Sequence, residues 1–133
     1  MHLVPLAWPE VAPWLAAACA RVASEYVPAD LKAICERGEA GLILIGLPGV
    51  APVAAGIRQI RDHRNGKRSC WVLAVGGAQA GPWRDVMRVI EADARSKACD
   101  TIEFVGRPGW ARLLPDFECR RDGRRAEYMK RLT

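Results

Sequence analysis

Apolar residues at Val11, Trp14, Leu15, Ala18 and Val22 recur at the i, i+3, i+4, i+7 spacing of one helical face. The spacing predicts a helix running to about Glu25, with Pro13 near its start, where a missing amide costs least. Pro28 and Asp30 open a short second helix with apolar positions Leu31, Ile34 and Cys35, and Gly38 supplies the left-handed residue that ends it. The segment Gly41 to Leu47 is apolar on both faces, which predicts a strand covered on both sides and internal to a sheet. Val53 to Asp62 reads as a strand that turns polar toward its end. Asn65-Gly66 is a strong two-residue hairpin signal, and Ser69 to Val75 is the return strand.

Val75 runs into the small-residue loop Gly76-Gly77-Ala78-Gln79-Ala80-Gly81-Pro82-Trp83, which ends with proline in the first turn of a long helix, Trp83 to Ala98. The helix carries Trp83, Val86, Met87, Ile90 and Ala94 on one face and Arg84, Asp85, Arg88, Glu91 and Lys97 on the other. Thr101 to Val105 follows as a strand and Pro108 to Leu114 as a short helix. Phe117 to Leu132 reads as a strand pair turning at Asp122-Gly123.

Length and composition narrow the class. A chain of 133 residues, half of them hydrophobic and 26% charged, suits one globular domain spanning 1–133. Glycine and proline interrupt its longest uncharged stretch, Ala40 to Ile57, too often for a membrane-spanning helix. Met1 to Pro5 lacks the basic region of a secretory signal, so a cytoplasmic location is expected. Five cysteines, no two closer than 16 positions, suggest neither a disulfide framework nor a CxxC site, and they read as small core hydrophobes. With His2 and His63 the only imidazoles, no metal site is expected.

The net charge of +5 is local. Five basic residues against one acidic lie between Arg58 and Arg68, and six against two between Arg120 and Thr133. Such stretches serve a polyanionic ligand, nucleic acid or simply a solvated face. Arg58 and Arg61 do not share a strand face and no exposed aromatics interleave with the charges, so nucleic acid is the weakest of the three readings.

A strand, a glycine-rich loop and a helix N-terminus together present free amides and a helix dipole to an anion. Val75 to Trp83 has that order, with neither Gly-Lys-Ser/Thr nor GxGxxG spacing, which argues against nucleotide triphosphatase and Rossmann redox chemistry. Glu103, alternating with Ile102 and Phe104, faces either a cleft as a base or plain solvent. Arg107 and Trp110, in Gly106-Arg107-Pro108-Gly109-Trp110, suit either a site or packing of a sharp turn.

The element order resembles the GNAT-type acyltransferases from end to end. Gly76-Gly77, Pro82-Trp83, Ala98-Cys99-Asp100-Thr101-Ile102-Glu103, Gly106 to Trp110 and Leu113-Leu114 more narrowly resemble small GNAT-like proteins of tailed phages and prophages. The resemblance implies an α+β fold of mixed layers, a twisted, mostly antiparallel sheet with helices on both faces. It implies acetyl coenzyme A between the strands that begin near Ser69 and Thr101, with Val75 bonding pantetheine and Gly76, Gly77, Gln79 and Gly81 lining the phosphate site. The activity implied is N-acyl transfer from a coenzyme A thioester to an amine, and the alternative is a non-catalytic virion component, assembly factor or host-interaction module with phage or host protein partners. Two departures stand out. Gln79-Ala80-Gly81-Pro82-Trp83 departs from the family's phosphate loop and Pro82 lacks an amide, and the place where many members carry a tyrosine acid falls near Arg112.

Overall fold

The computed structural model describes residues 9, 12–15, 28–45, 54–77 and 83–132; the remaining expectations, most of the first helix and the loop 78–82 among them, lie outside these. Helix α1 spans Pro28–Glu36 and buries Leu31 and Cys35. Gly38, at φ 77°, ends it, the Gly38 N–H donating to the Cys35 carbonyl (3.1 Å) and the Glu39 N–H to the Ile34 carbonyl (2.9 Å). Strands β1 (Gly41–Ile45), β2 (Ala54–Asp62) and β3 (Arg68–Gly77) form an antiparallel meander. Gly66, at φ 82°, turns the β2–β3 hairpin where Asn65-Gly66 predicted it.

Helix α2 (Trp83–Ser96) crosses to β4 (Thr101–Gly106), which lies parallel to β3. The four-residue helix α3 (Trp110–Leu113) leads to β5 (Glu118–Asp122) and β6 (Arg125–Arg131), an antiparallel pair turning at Gly123. The six described strands make one sheet in the order β1-β2-β3-β4-β6-β5, with a single parallel pair.

Each face of the sheet has its own core. Val86, Met87, Ile90 and Ala94 of α2 pack against Cys70, Val72, Ile102, Phe104 and Tyr128 on one face. Burial of Met87 or Ile90 contributes on the order of 1.5–3 kcal/mol. The approach is close enough that a Cβ on Gly56 would lie 2.9 Å from the Ile90 Cδ1. On the other face α1 and residues 12–15 cover Leu42, Leu44, Ala55, Ile57 and Ala74.

Strand β1 departs from expectation by standing at the edge of the described sheet rather than inside it. Its alternate residues feed the two cores, Ile43 and Ile45 one and Leu42 and Leu44 the other. Apolarity on both faces therefore reports helices above and below the strand, not strands on either side.

Candidate active site

Strands β3 and β4 pair over three residues only, Ser69 with Thr101, Cys70 with Ile102 and Trp71 with Glu103. Beyond that point, among the described strands, β3 continues to Gly77 bonded to β2 alone, and β4 continues to Gly106 bonded to β6 alone. Two strand edges thus diverge with their facing backbone groups unpaired by one another. The cause lies in β3. Arg58 of β2 opposes Val72 and the adjacent Ile57 opposes Ala74, so Leu73 is an extra residue. A β-bulge bends its strand and increases the local twist, and this one begins one residue after the last β3–β4 pair.

The closed end of the splay is held by Asp100. Its N–H donates to the Arg68 carbonyl (2.7 Å), its Oδ2 accepts from the Arg68 N–H (2.8 Å), and its carbonyl accepts from the Leu132 N–H (2.8 Å). One residue therefore ties the start of β3, the start of β4 and the end of β6.

Val75 lies in the diverging part of β3, half-buried and packed toward the α2 core. Gly76 points to the opposite face, where a Cβ would lie 2.7 Å from the Trp14 carbonyl carbon and 2.9 Å from its Cβ. Helix packing therefore gives Gly76 a reason to lack a side chain apart from any phosphate. Gly77, paired with Ala54, ends β3, and α2 begins six residues later at Trp83. Gln79 and Gly81 lie outside the described residues.

On the β4 side Phe104 forms the wall. It stacks on Tyr128 (4.6 Å, 11° between planes) and meets Trp110 edge-on at 6.1 Å and Phe117 at 5.5 Å. Trp110 thus has a packing role, one of the two readings its motif allowed. The Tyr128 hydroxyl donates to the Arg107 carbonyl (2.6 Å), fixing the turn from β4 into α3. Burial, with the neighbouring Cys119 thiol adding to it, pushes this hydroxyl up to about 12.

Arg112 is exposed on α3, the helix whose Trp110 packs on the α2 side of the sheet. Glu103 is half-buried at the vertex of the splay and points to the other face, its Oε2 accepting from the Thr101 hydroxyl (3.0 Å). The fold does not bring these two candidates together.

The cysteines Cys35, Cys70 and Cys99 are buried, as read from the sequence, whereas Cys119 is exposed on β5. Burial raises all three buried thiols, Cys70 to about 12, which keeps them protonated and unreactive near neutrality.

The basic stretch from Arg58 to Arg68 divides over both faces. Arg58 pairs with Asp93 of α2 (2.6 Å) and Arg68 with Asp62 (2.6 Å), while Arg61 lies on the opposite face with its Cζ 4.6 Å from the Trp71 ring centroid. Sequence reasoning gave no site role to Trp71, Arg61 or Asp100, naming Arg61 within a basic stretch and Asp100 within a longer motif. The Asn65-Gly66 turn fixes Gln59 opposite Trp71 and so carries the signal for the Arg61–Trp71 contact.

No family model matches the sequence, and no curated protein sequence matches it. Solved structures do match. A chain of the NatC complex bound to Gag peptide and CoA superposes with TM-score 0.62 at 11% identity, covering 87% of this chain and 86% of that one. A GNAT-family acetyltransferase from Listeria monocytogenes gives TM-score 0.62 at 10% identity, with coverage of 85% and 76%. An acetyltransferase from Thermus thermophilus gives TM-score 0.61 at 17% identity, with coverage of 98% and 91%. Identities this low report shared architecture. The chain has the GNAT acetyltransferase fold, a mostly antiparallel six-stranded sheet with helices on both faces.

Proposed function

We propose that this protein is an acyl-coenzyme A-dependent N-acyltransferase, and that the splay between β3 and β4 is its cofactor channel. The observation that carries the reading is the end of pairing at Trp71 and Glu103, which leaves two strand edges free to bond an extended ligand. The described residues fit such a group, with the β4-facing edge of Val72 to Gly77 paired to no described strand, apolar walls at Val75 and Phe104, and a helix start beyond β3. Bound acyl-CoA supplies the acyl group as a thioester.

Within this reading the Val75 backbone holds the pantetheine arm, and Gly76, Gly77, Gln79 and Gly81 line the pyrophosphate. A β3 amide near Val75 stabilises the negative charge that develops on the thioester oxygen. Glu103, at the vertex, takes the proton of the attacking amine. Arg112, exposed on α3 on the other side of the sheet from Glu103, takes no part in this reading.

The test is calorimetric titration of coenzyme A into the parent protein and into Gly77→Asp, which sets a carboxylate at the phosphate end. Binding by the parent, lost in the variant at a melting temperature within a few degrees, supports the channel. Equal heats, or no binding by the parent, remove it.

A second reading keeps the fold without the chemistry, as a phage or prophage virion component, assembly factor or host-interaction module. It is favoured by α3, Trp110–Leu113, which offers no tyrosine to protonate a leaving group. Absence of thiol release from acetyl-CoA across a panel of amines, in a protein that fails to bind coenzyme A, would select it.

A further inference from the structure

Around the vertex of the splay, on the face away from α2, four side chains form a row across four strands. Arg61 belongs to β2, Trp71 to β3, Glu103 to β4 and Met129 to β6. Trp71 is in register with Glu103, and Glu103 with Met129, while Arg61 reaches over the indole from the far side. All four are half-buried.

The two charges of this row are opposite and separated by an aromatic ring. The Arg61 Nε donates to the Gln59 Oε1 (2.9 Å), and its terminal nitrogens meet no carboxylate among the described residues. Glu103 takes one hydrogen bond, from the Thr101 hydroxyl, and meets no cation there. Neighbouring strands lie about 4.8 Å apart, so the guanidinium above Trp71 and the carboxylate one strand further lie within the reach of the two charged ends of one hydrogen-bonded amino acid. A guanidinium and a carboxylate on one face of the sheet, neither paired with an opposite charge among the described residues, offer hydrogen bonds to the two charged ends of a zwitterion.

We propose that the acyl acceptor is a free α-amino acid with an apolar side chain, held zwitterionically on this row. The inference rests on the acyltransferase reading above for its chemistry and on Arg61, Trp71, Glu103 and Met129 for its specificity. The planar guanidinium of Arg61 takes the α-carboxylate through two parallel hydrogen bonds. Trp71 and Met129 contact the side chain, and Glu103 receives the α-ammonium beside the vertex.

The proton balance then closes. The ammonium gives one proton to Glu103 and its nitrogen bonds to the acyl carbonyl carbon as the carbon–sulfur bond breaks. The second nitrogen proton goes to the thiolate, which leaves as coenzyme A, and Glu103 returns its proton to solvent. Polyamines are disfavoured because Arg61 repels their second charge.

Three probes dissect the site: L-phenylalanine, phenethylamine, which lacks the carboxylate, and 3-phenylpropionate, which lacks the amine. The Trp71 indole N–H, assigned in a spectrum of ¹⁵N-labelled protein by its disappearance in Trp71→Phe, should shift with L-phenylalanine and respond far less to the other two. Thiol release from acetyl-CoA should show a kcat/KM at least about tenfold higher for L-phenylalanine than for phenethylamine. Arg61→Gln should raise KM for L-phenylalanine by about tenfold with a much smaller change in kcat, and should erase the preference over phenethylamine. Arg61→Lys should recover part of it.

Equal use of L-phenylalanine and phenethylamine, or an unchanged KM in Arg61→Gln at parental melting temperature, overturns the proposal. L-Phenylalanine bound at Trp71 by a protein that takes no coenzyme A would uphold the site and overturn the acyltransferase reading. Coenzyme A bound without amino-acid selectivity would do the reverse.

Discussion

The two ends of the β3–β4 pair belong to the same two strands and behave differently. At the closed end Ser69, Cys70 and Trp71 meet Thr101, Ile102 and Glu103 in register, and Asp100 bonds to three segments at once. At the open end Val72 to Gly77 and Phe104 to Gly106 run apart, each paired, among the described strands, with its outer neighbour. The difference is one residue, Leu73, whose insertion opposite the Ile57–Arg58 step bends β3 away. A bulge can open a binding channel only if something else keeps the strands together. That task falls to the Asp100 knot and the core beneath Cys70 and Ile102.

The contrast predicts its largest effect within β4 itself. Ile102 is fully buried at the closed end, and Ile102→Ala should cost about 2–5 kcal/mol in chemical denaturation. Val105, three positions along at the open end, is 36% exposed, and Val105→Thr should stay within about 0.5 kcal/mol of the parent. If the two substitutions cost the same, the open end is as much a part of the core as the closed one and the division fails.

A smaller effect isolates the knot. Asp100→Ala keeps the two backbone bonds of residue 100 but leaves the half-buried Arg68 N–H without its carboxylate, at about 1–2 kcal/mol. Asp100→Asn retains an oxygen acceptor and should recover most of that loss. Should both variants melt with the parent, backbone pairing alone closes the strands.

Which parts were legible in the sequence follows from the range over which each is determined. The Asn65-Gly66 hairpin is specified by adjacent residues, and α2 by a periodic apolar face whose Val86, Met87, Ile90 and Ala94 are all buried. The bulge has no such signature, because Leu73 and Ala74 suit an ordinary strand as well as an irregular one. Gly76 was read as a phosphate contact, and its tight fit against Trp14 required knowing which helix crosses it. The row of Arg61, Trp71, Glu103 and Met129 depends on register across four strands from distant segments, which no local pattern encodes. The knot at Asp100 has no local signature because its partners, Arg68 and Leu132, are 32 positions away on either side.

The smallest expected effect comes from the turn that leads into the knot. Helix α2 ends at Ser96, and its closing bonds run from the Ala98 N–H to the Arg95 carbonyl (3.0 Å) and from the Cys99 N–H to the Ala94 carbonyl (3.0 Å). That pattern requires a left-handed residue, and it is Ala98, at φ 59°, where glycine is usual and where the sequence suggested that the helix continued. A left-handed alanine carries about 1–2 kcal/mol of steric cost, whereas glycine loses about 0.4–1 kcal/mol more entropy on folding. The first term exceeds the second, and the exposed Ala98 methyl has no core packing to lose. Ala98→Gly should therefore stabilise the protein by about 0.5–1 kcal/mol, raising the melting temperature by roughly 2–6 °C. The gain strengthens the closed end without touching the open one, so coenzyme A affinity measured by calorimetry should stay at the parental value. A variant that gains stability but loses affinity would mean that strain at Ala98 is transmitted along β4 into the splay, and that the two ends are not separable after all.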